Sequence, residues 1–211
     1  MWRKCMEIRD AIGLSDHEPG LNILYEKAVE VSKNLNPLLP FVEIGTRRGG
    51  SALLLLIAIK ESGCRRPLLT VDPYGKMEYE QNDKIRIKEY GEGYYREAMK
   101  VLADYCVETE MIHSHFRMTS DEFMKIYPQI TLYYEGQILP KEEFGLVYLD
   151  GDHHIDIVTR EVEYFYPKIV RGGLLSIDDI EFSLQNATGL FREILDKGEK
   201  VGNRLFYYKG D

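Results

Sequence analysis

Apolar residues three and four apart at Leu21, Leu24, Ala28, Val31 and Leu35 share one helical face, and Pro37 and Pro40 end that helix. The pattern then shortens. Phe41-Val42-Glu43-Ile44 is a β-prone run stopped at Gly45, and Ser51 to Lys60 reads as a buried helix. Leu68 to Val71 is a second strand, ended by Asp72-Pro73. Glu110 to His115 is a third, and Phe144 to Leu149 a fourth, ending at Asp150. His154 to Ile169 carries Val158, Val162, Phe165 and Ile169 on one helical side. Arg171-Gly172-Gly173 is a turn, Leu174 to Ile177 a strand ending at Asp178-Asp179, and Ala187 to Asp196 a helix. Arg204 to Tyr208 is a last strand; Glu199 to Gly202 is too short to read as its partner.

Short apolar strands alternating with helices predict an α/β protein with a mostly parallel sheet covered on both faces. Ligands of such sheets sit beyond the carboxyl ends of the strands. Glu43, Asp72, Asp150, Asp178 and Asp179 recur within or at those ends, which a ligand edge explains better than chance placement. Two tyrosine-rich stretches interrupt the alternation: residues 76–95, with Tyr79, Tyr90, Tyr94 and Tyr95, and residues 129–141, with Tyr133-Tyr134. Both read as insertions over the ligand edge or as solvated linkers.

Length and charge narrow the partners. The 211 residues suit one domain, 1–211, whose first forty residues form a helical segment. With 27 Lys and Arg against 35 Asp and Glu, the formal charge is −8, which argues against bulk nucleic-acid binding. The longest apolar run, Ala52 to Ile59, falls short of the roughly 20 residues that span a bilayer, and the N-terminus lacks a signal-peptide core. Cys5, Cys64 and Cys106 are odd in number and far apart, which suits a reducing, cytoplasmic setting. The apolar face from Leu21 to Leu35 serves as core or as a homo-oligomer contact, core being the default.

Two segments carry chemistry. In Val42-Glu43-Ile44-Gly45-Thr46-Arg47-Arg48-Gly49-Gly50-Ser51, a strand enters a glycine turn that opens a helix. Glycines admit positive φ and close ligand approach, and the helix start offers free N–H groups to an anion. The spacing is G-x-x-x-G, and Arg47 stands where a dinucleotide fingerprint needs its second glycine. Glu43 before the turn and Asp72 after the next strand suit a ligand with an amino group and a ribose. The second segment, Asp150-Gly151-Asp152-His153-His154, lies at one strand end, and Asp178-Asp179 lies at the next. Clustered carboxylates need protons or a cation, and a hard divalent ion suits oxygen donors. Singly, each aspartate reads better as a helix cap or a solvated turn; as a set they read better as a metal site.

Glu43-Ile44-Gly45 with Gly49, Ser51 and Asp72 resembles the cofactor site of class I S-adenosylmethionine-dependent methyltransferases. That resemblance implies a Rossmann-like doubly wound sheet with the cofactor's methionine at Gly45 and Gly49. It implies further that Ser51 binds the methionine carboxylate, Asp72 the ribose, and Ser114 and His115 flank the adenine. Asp150-Gly151-Asp152, Tyr166-Pro167-Lys168, Gly172-Gly173 and Asp178-Asp179 are similar to the metal-dependent macrocin-type O-methyltransferases, which act on sugar hydroxyls. By that resemblance Asp150, Asp178 and Asp179 bind a divalent metal, Mg²⁺ first, and Asp152 is the general base. His153 holds the position where the related catechol-type enzymes place a basic lysine, so it is the second candidate base. The acceptor is then a small-molecule hydroxyl, on a sugar or natural product. Metal-assisted phosphoester hydrolysis and a cofactor-binding protein without turnover are the competing readings.

Overall fold

The computed structural model describes residues 8–15, 20–75, 91–182 and 185–210. Seven helices and nine strands are found among them: α1 (Ile8–Leu14), α2 (Leu21–Asn34), β1 (Phe41–Ile44), α3 (Gly50–Glu61), β2 (Pro67–Val71), α4 (Glu92–Thr109), β3 (Ile112–Phe116), α5 (Ser120–Ile126), β4 (Tyr133–Tyr134), β5 (Gln137–Ile138), β6 (Phe144–Leu149), α6 (Ile155–Phe165), β7 (Ile169–Ile177), α7 (Gly189–Lys197), β8 (Glu199–Val201) and β9 (Arg204–Tyr208). The main sheet has the order β3-β2-β1-β6-β7-β9-β8. Its first five strands run parallel, and the β8–β9 hairpin closes the far edge antiparallel.

Side-chain alternation divides the core in two. Phe41, Leu68, Leu146, Tyr148, Leu174 and Phe206 point to the face covered by α1–α4. Val42, Leu69, Val147, Leu175 and Leu205 point to the face covered by α5, α6 and α7. Helix α3 lies between the sheet and α1, α2 and α4, so Ala52 through Ile59 are all buried. That placement explains why its sequence shows no polar stripe. Among the described residues, no helix is long and apolar enough to cross a membrane.

The outer strands depart from expectation. Residues Ile169 to Gly173, read as helix end and turn, belong to β7, which pairs through Ile169↔Phe144 before a register shift resumes at Leu174↔Leu146. Gly172 at φ +77° supplies the backbone geometry for that irregularity. Glu199–Val201 does form the short strand that its length alone could not identify, because β9 offers it a partner. The residue 129–141 insertion becomes the β4–β5 hairpin, which docks away from the ligand edge. Tyr134 Oη donates to the Arg65 carbonyl at 2.9 Å, just before β2 begins. Tyr94 and Tyr95 of the other insertion lie on α4, while Tyr79 and Tyr90 fall outside the described residues.

One buried guanidinium holds the end of α2. Arg66 Nε donates to Ser32 Oγ at 3.0 Å, Nη1 to Leu39 O at 2.8 Å, and Nη2 to Ser32 O at 3.0 Å and Leu35 O at 3.1 Å. These carbonyls close a helix end that would otherwise be unsatisfied. Burial lowers the Arg66 pKa to about 10, still cationic at neutral pH. Arg66→Met is expected to destabilise the fold by about 3 kcal/mol, read from urea denaturation midpoints, because several buried acceptors lose their donor together. Arg66→Lys should restore only part of this, since an ammonium cannot span the same fork.

Candidate functional site

Register assembles the site. His115, Thr70, Glu43, Tyr148, Ser176 and Phe206 stand side by side across six strands. The backbone ladder continues one row higher through Gly45 N to Val71 O at 2.8 Å, Asp72 N to Phe116 O at 3.2 Å, Asp150 N to Ile44 O at 2.8 Å and Asp178 N to Leu149 O at 2.8 Å. Gly45, Asp72, Asp150 and Asp178 therefore line one carboxyl-terminal edge.

The glycine turn is fixed from below. Asp72 Oδ2 accepts the Thr46 and Arg47 N–H groups, both at 3.0 Å, and its Oδ1 accepts Tyr74 N–H at 2.8 Å. Tyr74 Oη closes the loop by donating to Arg47 O at 2.8 Å. Asp72 is 1% exposed and braces the turn through both carboxylate oxygens. Burial raises its pKa, and the three backbone donors oppose that rise. Gly45 has φ +90°, and a Cβ there would overlap the Asp150 carbonyl, so its lack of a side chain lets two strand ends meet. Gly49, at φ +85°, lies against Ala98 of α4.

Glu43 lies under this turn and is fully buried. Neither of its carboxylate oxygens has a hydrogen-bond partner among the described residues. Burial pushes its pKa up to about 8, the nearby Ser51 and Thr46 hydroxyls moderating the rise and Asp72 adding to it. Ser51 itself is buried on the first turn of α3.

On β3 the expected cofactor-flanking pair separates. His115 shares a face with Glu43, and its Nδ1 stands 2.9 Å from Thr70 Oγ1, which also meets His113 Nε2 at 2.8 Å. Burial lowers both histidines to about 4, so they are neutral at physiological pH. Tyr74 and Tyr95 pack against His115 at tilted angles, with centroids 5.4 and 5.8 Å away. Ser114 points to the opposite face beside Leu69. The strand runs on to Phe116, so Ser114 sits within it rather than at its tip.

The acidic ends do not converge on one point. Asp178 Oδ2 accepts from Arg204 Nη2 at 2.6 Å and lies 3.1 Å from Tyr148 Oη. Tyr148 Oη also lies 3.1 Å from Asp150 Oδ2 and accepts from Arg204 at 3.0 Å. Asp179, at φ +50°, takes other partners: Asn203 Nδ2 donates to its Oδ1 at 2.6 Å, and His153 Nε2 is 3.2 Å from its Oδ2. Asp152 Oδ1 accepts the His154 N–H at 2.9 Å, shaping the approach to α6. Among the described residues, no three His, Cys, Asp or Glu side chains are grouped so as to hold a metal. The expected set of Asp150, Asp178 and Asp179 thus does not fit one divalent ion, because Arg204 occupies Asp178 while Asn203 and His153 occupy Asp179.

Tyr148, Asn203 and Arg204 escaped the sequence reading. Each sits in a segment read as plain strand or loop, and only the β7–β9 pairing brings the last two to Asp178 and Asp179. Glu161 on α6 was also missed. It is buried beside Asp152 and Asp121, and burial pushes it to about 8.

A family described as a methyltransferase domain matches residues 42–180 of the 211. The chain belongs to this methyltransferase family. The match spans β1 through the Asp178-Asp179 end of β7 and so includes both the glycine turn and the acidic tips. Solved structures agree on the class I S-adenosylmethionine-dependent fold. The O-methyltransferase TomG of Streptomyces achromogenes, involved in tomaymycin synthesis and solved with S-adenosylmethionine, superposes with a TM-score of 0.57 at 14% identity, over 96% of this chain and 88% of that one. A TDP-rhamnose 3'-O-methyltransferase of calicheamicin biosynthesis gives 0.53 at 14% identity, over 96% and 81%. The MycE methyltransferase of the mycinamycin pathway, solved with Mg and S-adenosylhomocysteine, gives 0.55 at 14% identity, over 98% and 55%. No curated protein matches the methyltransferase in sequence.

Proposed function

We propose that this methyltransferase moves the methyl group of S-adenosylmethionine to a hydroxyl of a small molecule, such as a sugar or natural product. The observation that carries the cofactor half is Glu43, a buried carboxyl with two unpartnered oxygens directly beneath the glycine turn. A cofactor whose methionine carries an ammonium group supplies the charge that this carboxylate lacks. The acceptor half rests on His153, and the O-methyltransferase names of the structural neighbours support it.

His153 Nε2 lies 3.2 Å from Asp179 Oδ2, and this contact orients the imidazole as the general base of the reading. Asn203 holds Asp179 in turn, which fixes the imidazole. The step is an in-line displacement. The acceptor oxygen forms a bond to the methyl carbon, the carbon–sulfur bond breaks, and the hydroxyl proton passes to His153. The products are a methyl ether and S-adenosylhomocysteine. Asp152 is assigned to shaping the turn, since its Oδ1 already accepts a backbone N–H. The donor set does not fit a divalent ion, so no step is assigned to one. Metal-assisted phosphoester hydrolysis loses its basis for the same reason.

Calorimetric titration with S-adenosylhomocysteine tests the reading. One-to-one saturable binding is expected, followed by methyl transfer to a member of a hydroxyl-acceptor panel. No binding at high micromolar ligand would remove the proposal.

A further inference from the structure

We infer that Arg204 is a built-in cation for the acidic strand ends, so that this chain works on its acceptor without a divalent metal. The inference rests on the methyltransferase reading above but on different atoms. The pairing Ile177↔Leu205 brings Arg204 opposite Asp178. The two side chains are 0% and 6% exposed, so this is an interior ion pair rather than a surface one. Arg204 Nη2 reaches Asp178 Oδ2 at 2.6 Å and Tyr148 Oη at 3.0 Å.

Proton counting assigns the rest. A phenol has one proton to donate. Asp178 already receives a cationic donor, so the Tyr148 proton belongs to Asp150, 3.1 Å away. One guanidinium therefore compensates two carboxylates, Asp178 directly and Asp150 through a polarised hydroxyl. Guanidinium does not deprotonate in proteins, so this charge is permanent. Burial opposes it, but Tyr148, Asp178 and Asp150 outweigh burial and hold the pKa above its ordinary value. A divalent ion on Asp178 would have to compete with a fixed positive group already seated on the same carboxylate. Asp179 is engaged separately by Asn203 and His153. The acceptor consequence is specific. With no ion to chelate, one hydroxyl is enough, and a vicinal second hydroxyl is not required.

The test begins with the wild-type protein stripped with EDTA and titrated with MgCl₂ and MnCl₂ by calorimetry. No saturable site is expected at millimolar metal, and the melting temperature should be the same in EDTA and in Mg²⁺. A one-to-one site that disappears in Asp150→Asn would overturn the inference. Arg204→Met should lower the melting temperature by on the order of 10 °C, and Arg204→Met with Asp178→Asn should recover most of that loss. An unchanged melting temperature in Arg204→Met would also overturn it. If that variant fails to fold, the wild-type titration decides alone. S-adenosylhomocysteine binding is measured in the same samples, so failure of the cofactor reading shows separately from a metal site.

Discussion

Replacing His153 with alanine is expected to slow methyl transfer by roughly 10²–10⁴-fold, the usual contribution of a positioned general base. S-adenosylhomocysteine affinity should be unchanged, because His153 lies with Asp179 and Asn203 at the β7–β9 end and not at the glycine turn. Asp179→Asn should fall between wild type and His153→Ala, since the imidazole remains but loses its carboxylate partner. Asp152→Asn is the control. An asparagine oxygen can still accept the His154 N–H, so the loop and most of the activity should survive. Measuring kcat/KM beside calorimetric affinity separates the cases. A large loss in Asp152→Asn with little loss in His153→Ala would exchange the two roles.

The elements with strong local signals were legible in the sequence. β1, β6 and β9 begin and end where the β-prone runs Phe41 to Ile44, Phe144 to Leu149 and Arg204 to Tyr208 place them. The carboxyl-terminal edge was legible for the same reason: the carboxylates follow strands whose ends are sharply marked. Legibility failed where the decisive fact was tertiary. Ile169 continues the apolar period of α6, yet pairing with Phe144 draws it into β7. Residues 129–141 are as polar and tyrosine-rich as an active-site cover, but Arg65 ties them to the start of β2. Asp72 stands at the predicted strand end, although its oxygens serve backbone donors. Carboxylate spacing alone suggested a metal. What it could not show was the cation already in place, because Arg204 lies 26 residues beyond Asp178 and reaches it only through the antiparallel β7–β9 pairing.

That cation divides the edge into two electrostatic halves. Toward β7 and β9, Asp150 and Asp178 are compensated by Arg204 and Tyr148. Toward β2, Asp72 is met by backbone N–H groups. Glu43 lies between them, fully buried, with the nearby Ser51 and Thr46 hydroxyls only moderating the burial that raises its pKa to about 8. The charge this site needs from outside is a monovalent one, under the glycine turn.

Glu43→Gln is accordingly expected to weaken S-adenosylhomocysteine binding by roughly 100-fold at pH 8, the scale of losing a buried charge-assisted contact. The wild-type pH profile supplies the diagnostic. The Glu43 carboxyl stands at about 8 against an ordinary value near 4.5, so below pH 8 an incoming ammonium must first displace a proton. Affinity should rise roughly tenfold from pH 6 to 7, about fivefold from 7 to 8, and level off above. The glutamine variant should be flat over that range. Stability should move the opposite way. A raised pKa means that the folded state binds the proton more tightly, so this stability is fully present below pH 4.5 and is lost as pH rises through about 8. Glu43→Gln escapes the loss and should melt higher than wild type at pH 9, with little difference at pH 5. Glu161, also at about 8, keeps part of the alkaline loss in both proteins. A variant that binds its cofactor worse yet folds better at high pH is the signature of a carboxylate kept for a ligand rather than for the fold. A flat wild-type profile, with equal affinities in the two proteins, would remove Glu43 from the ammonium and leave the turn without its receptor.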